Sequence, residues 1–84
     1  MTKFYVYTEF EGTKNNLTLN EAITELKRKG IYVNCHNPFK GIGVQDEKNN
    51  YNNDFATLLE GKLSIDTTKN IDMSIINKIR REVA

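Results

Sequence analysis

Apolar residues in this chain recur with two different periods, and the switches between them fix the class of fold it can adopt. From Lys3 to Phe10 the period is two: Phe4, Val6, Thr8 and Phe10 share one side, Lys3, Tyr5, Tyr7 and Glu9 the other. Alternating β-branched and aromatic residues of this kind predict a strand with one buried face. Gly12 and Asn15-Asn16 then signal a loop. At Thr18 the period changes. Leu19, Ala22, Ile23 and Leu26 fall on one helical stripe. Thr18 followed three residues later by Glu21 forms a capping box, which satisfies two backbone donors the first helical turn would leave orphaned, and Leu17 can staple onto Ala22. Lys27, Arg28 and Lys29 fill the last turn, where the helix dipole favours cations, and Gly30 can close the helix in a left-handed conformation.

Alternation returns at Ile31, Val33 and Cys35, with Tyr32, Asn34 and His36 facing away, and predicts a second strand. Asn37-Pro38 turns the chain, and Gly41 to Gln45 makes a short third strand with Ile42 and Val44 inward. Asp46 to Asn53 is polar and Asn-rich, hence an exposed loop. The spacing of Tyr51, Phe55 and Leu58 predicts a short helix over 53–60, ended by Gly61. Leu63, Ile65 and Thr67 alternate as a fourth strand. Asp72 caps a last helix whose stripe is Ile75, Ile76, Ile79 and Val83. The expected fold is therefore α+β, a single domain over residues 1–84. It is a small antiparallel sheet with helices on one face, in the ferredoxin-like βαββαβ order with an added C-terminal helix.

Charge and cysteine content narrow the function. With 12 basic and 11 acidic residues the net charge is +1, so no global field draws the chain to nucleic acid or anionic lipid. Cys35 is the single cysteine, so no internal disulfide forms. The first residues lack the apolar stretch of a signal peptide, and no run approaches the ~18 apolar residues of a membrane span. A cytoplasmic protein without membrane contact is expected.

Catalytic constellations are wanting. Cys35 and His36 are neighbours on a strand, so their side chains point to opposite faces and cannot pair as thiolate and imidazole. One Cys and one His fall short of a zinc site. Cys35 reads as a packing residue and His36 as a solvated one. Asp46-Glu47, Asp54, Glu60 and Asp66 are scattered, and Ser64 and Ser74 lack the glycine elbow of a hydrolase nucleophile. The Gly-x-Gly of Lys40-Gly41-Ile42-Gly43-Val44 is followed by no helix start, as phosphate binding there would require; it eases tight entry into a sheet. No enzyme activity, cofactor or metal is expected.

Binding is the remaining reading. With Phe4, Val6, Phe10, Ile31, Val33 and Leu63 turned to the helices, the opposite sheet face carries Tyr5, Tyr7, Tyr32, Asn34, His36 and Gln45, and tyrosines offer rigid contact area with a polar tip. Lys78, Arg80 and Arg81 on the last helix form a second, basic candidate surface. Lys40-Gly41-Ile42-Gly43-Val44 resembles the third-strand signature of the RNA recognition motif, and Phe4-Tyr5-Val6 its first-strand one. That resemblance implies single-strand binding, but Ile42 and Val44 stand where the family stacks aromatics, and only Tyr5 matches as a stacking residue. The small size, the bias to Asn, Lys and Ile, and the balanced charge are similar to small accessory proteins of phages and mobile elements, including anti-CRISPR and antirestriction inhibitors. The leading expectation is a non-enzymatic binding or inhibitor protein that acts on a protein partner. The alternative is a module that binds single-stranded nucleic acid through its tyrosine-bearing sheet face. A homo-oligomer is compatible with either.

Overall fold

A computed structural model describes residues 2–9, 11–28, 39–46 and 53–83. Among these residues seven elements follow in chain order: β1 (Phe4–Thr8), β2 (Gly12–Leu17), α1 (Leu19–Lys27), β3 (Lys40–Val44), β4 (Asp54–Leu59), β5 (Lys62–Ile65) and α2 (Met73–Val83). The strands form one five-stranded sheet in the order β2-β1-β3-β4-β5, every neighbouring pair antiparallel. Both helices pack on one face. The result is the expected small α+β domain, consistent with a ferredoxin-like topology. Its ferredoxin-like unit is a split βαβ: β2 and β3 run the same way on either side of β1 and are joined through α1.

The core lies between the sheet and the helices. Phe4 and Val6 of β1, Ala22, Ile23 and Leu26 of α1, Ile42, Phe55, Ala56 and Ile79 form one cluster, flanked by Leu17, Leu63, Ile65, Ile75 and Val83. Full burial of each large aliphatic or aromatic member contributes about 1.5–3 kcal/mol. Phe4 meets Phe55 edge to face, with ring centroids 6.4 Å apart. The capping box forms as expected: Thr18 accepts from the Glu21 N–H, and Glu21 accepts from the Thr18 N–H at 2.9 Å. Asp72 caps α2, its side chain accepting from the Ser74 N–H at 2.8 Å.

Two expected elements take another form. The predicted loop at Gly12 and Asn15-Asn16 is strand β2, which has no apolar alternation because it is an exposed edge held by its backbone ladder to β1. Its register slips beside Asn16, whose φ of 60° is the left-handed conformation that asparagine tolerates. Gln45 fixes that bulge, accepting from the Asn16 N–H at 2.7 Å and donating to Asn16 Oδ1 at 3.1 Å. The predicted helix over 53–60 is strand β4. Its ladder to β3 skips Phe55, so Phe55 and Ala56 both reach the core and the apolar spacing imitates a helix. Glu60 and Gly61, with φ of 50° and 78°, then make the two-residue turn of a β-hairpin into β5.

Helix α1 ends at Lys27 with Arg28 as an extended C-cap, not in a left-handed residue, and Gly30 lies outside the described residues. Lys40 takes over the capping. Only 4% exposed, it reaches from β3 beneath the helix end. Its Nζ donates to the carbonyls of Glu25 (3.1 Å), Leu26 (3.2 Å) and Arg28. A cation at this end complements the helix dipole and satisfies carbonyls that have no partner within the helix. Burial, and next the Arg28 charge, push the Lys40 ammonium below its ordinary pKa. Outside the core, Glu25 bridges Lys14 at 3.2 Å and Arg28 at 3.0 Å, and Arg28 also pairs with Glu11. These contacts tie the β1–β2 hairpin to α1. The expected strand over 31–36 lies outside the described residues, and with it Tyr32, Asn34, Cys35 and His36.

Candidate binding surface

The sheet face turned away from the helices is built by alternation. Tyr5 and Tyr7 stand on it from β1, and Gly43 and Gly41 of β3 are their direct cross-strand partners. The skipped residue in β4 sets Asp54 opposite Gly43 on the same side. With Gly41 and Gly43 leaving this face of β3 bare of side chains, the ring of Tyr5 lies across Gly43 and reaches the next strand but one. Its hydroxyl donates to Asp54 Oδ1 at 2.5 Å and accepts from the Asn53 N–H at 3.0 Å. A Cβ built on Gly43 would lie 2.5 Å from Cε2 and Cζ of Tyr5, and one on Gly41 would lie 2.8 Å from Asp54 Oδ2. The Gly-x-Gly pattern therefore clears a track for a tyrosine–carboxylate pair. Burial, and then Asp54, push the Tyr5 hydroxyl far above the ordinary tyrosine range, so it remains a donor where an ordinary tyrosine would ionise.

This corrects the expectation for Tyr5. It occupies the predicted face but is 0% exposed, because the missing Gly43 side chain lets the ring lie down on the sheet. Tyr7 does stand at the surface, 39% exposed, and meets Phe39 with ring centroids 6.3 Å apart. Thr57 pairs with Gly41, so alternation along β4 turns Leu59 to the same side, where it is 51% exposed. Tyr7, half-buried Phe39 and Leu59 thus mark an apolar patch at one end of the helix-free face. Phe39 and Leu59 were missed in the sequence. The signal for Phe39 was its alternation with Gly41 and Gly43; that for Leu59 appears only once β4 is recognised as a strand.

The basic residues lie elsewhere. Lys78, half-buried, pairs with Glu82 at 3.9 Å, while Arg80 and Arg81 are exposed on α2. Helix α2 packs on the opposite face, so the fold does not bring Tyr7 together with Lys78, Arg80 and Arg81. A separate open groove is lined by Val44, Gln45, Asp46, Asn53, Lys69, Asn70 and Ile71. Gln45 and Asn53 are already committed there, to Asn16 and to the Val44 carbonyl. Among the described residues no group of three or more His, Cys, Asp or Glu is arranged to hold a metal ion. No described helix is long and apolar enough to cross a membrane. No protein-family model, curated protein or solved structure matches the chain.

Proposed function

We propose that this chain is a non-catalytic binding protein that docks on a protein partner through the sheet face bearing Tyr7, Phe39 and Leu59, in the manner of a small inhibitor. The observation that carries this is the exposure of Tyr7 and Leu59, at 39% and 51%, on the face that α1 and α2 leave uncovered. Exposed aromatic and aliphatic side chains on a rigid sheet supply contact area with little ordering entropy, which is what the centre of a protein interface needs. The nucleic-acid alternative is weaker on the same face. Stacking needs free rings, and Tyr5 is buried and hydrogen-bonded. Asp54 beside it adds a negative charge where phosphates would run.

The test is affinity capture from lysate with and without nuclease, run with the parent chain and with a Tyr7→Ser, Leu59→Ser double variant. A protein partner that survives nuclease and is lost by a double variant that melts like the parent is the expected result. Capture that vanishes with nuclease, or that the folded double variant retains, refutes the proposal.

A further inference from the structure

Among the described strands β5 is an outer one, and the ladder fixes which of its backbone groups face outward. Lys62 pairs with Leu59 across the two-residue turn, and the Asp66 N–H donates to the Phe55 carbonyl at 2.8 Å. Hydrogen-bonded pairs alternate along an antiparallel ladder, so Lys62, Ser64 and Asp66 direct their backbone groups to β4. Leu63 and Ile65 direct theirs away from the sheet, and among the described residues nothing pairs with them. The other outer strand is protected. β2 carries the bulge at Asn16 and the Gln45 clamp, devices that keep an edge from pairing with another chain. β5 has neither bulge nor proline.

We propose that β5 is the pairing edge for a second copy of this chain, two β5 strands meeting antiparallel about a twofold axis at Ser64. In this register Leu63 of each copy lies opposite Ile65 of the other, and their outward N–H and C=O groups satisfy one another. Lys62 of each copy falls opposite Asp66 of the other. Lys62 is exposed and makes no ion pair among the described residues. Asp66 accepts from the Thr68 hydroxyl at 2.5 Å and from its N–H at 2.9 Å, and these bonds hold its carboxyl below the ordinary range. The edge is therefore self-complementary in hydrogen bonding and in charge. Shifting the register by two residues either way sets Lys62 opposite Ser64 or Thr68 and loses both ion pairs. Leu63 and Ile65, half-buried on the helix side, would extend the apolar layer across the axis.

Sedimentation of the full chain from micromolar to millimolar concentration tests this. Reversible dimerisation is expected. Lys62→Glu and Asp66→Lys should each weaken it by about tenfold or more, because like charges directly opposite on a ladder repel. An equimolar mixture of those two variants restores attraction at both pairs and should dimerise again. Asp66→Lys also removes the Thr68 contacts, so a second measurement stands apart from it. Under mild oxidation Ser64→Cys should form a dimer linked through the introduced thiols, and Lys62→Cys should form far less of it. A parent chain that stays monomeric throughout overturns the proposal. So does a dimer that Lys62→Glu leaves unchanged, or cross-linking that favours Lys62→Cys.

Discussion

Gly43→Ala isolates the contact on which the helix-free face is built. The added methyl carbon would lie 2.5 Å from Cε2 and Cζ of Tyr5, and closer still to its hydroxyl. Non-bonded carbons rest at about 3.5–4.0 Å, so the ring must retreat by roughly 1 Å. It has little room to do so: Tyr5 is fully buried, and its hydroxyl is held by Asp54 and the Asn53 N–H. Overpacking of this kind costs about 1–3 kcal/mol. In a domain of this size each kcal/mol lowers Tm by about 4–8 °C, so a fall on the order of 10 °C is expected. Gly43 is not among the positive-φ glycines, so backbone strain does not confound the comparison. The discriminating assay is a double-mutant cycle in urea with Tyr5→Val, which removes the ring. In that background Gly43→Ala should be nearly neutral, and the coupling should exceed about 1 kcal/mol, as for residues in direct contact. A Gly43→Ala variant that melts like the parent, or an equal cost in both backgrounds, refutes the packing described for Tyr5.

Two further predictions concern buried polar groups. Lys40→Met keeps the length of the side chain but removes the ammonium that caps α1, and should destabilise the domain by about 1.5–3 kcal/mol, the usual worth of hydrogen bonds to a charged group; denaturant midpoints at constant m-value check this. The raised pKa of Tyr5 means the folded state holds its proton more tightly than the unfolded state does. The stability linked to that proton is therefore complete below about pH 10 and is lost as pH rises above it, so Tyr5→Phe should flatten the alkaline fall in stability relative to the parent chain.

What the sequence determined by itself is what local chemistry decides. Thr18 and Glu21, three residues apart at the head of the apolar stripe from Leu19 to Leu26, mark the start of a helix with one face to bury. Phe4 and Val6, and Leu63 and Ile65, sit on the helix side of the sheet, and Ile76 and Ile79 are the buried residues of α2, as their periods required. The α+β class and the layering of helices on one sheet face follow from these periods alone. What escaped depends on partners distant in the chain. β2 is a strand because β1 offers it a ladder, although Thr13 to Asn16 have no apolar pattern. β4 hid because the residue skipped at Phe55 breaks the period of two. Tyr5 has the alternation of a surface residue, and only the pairing with Gly43, thirty-eight residues away, lets its ring lie down and be buried. Lys40 has the look of a solvated lysine, and only the seating of α1 above β3 turns it into a buried cap. The period of a segment fixes which side of an element each residue takes. Exposure on that side is decided by whatever the tertiary fold sets against it, and short-range pattern carries no record of that.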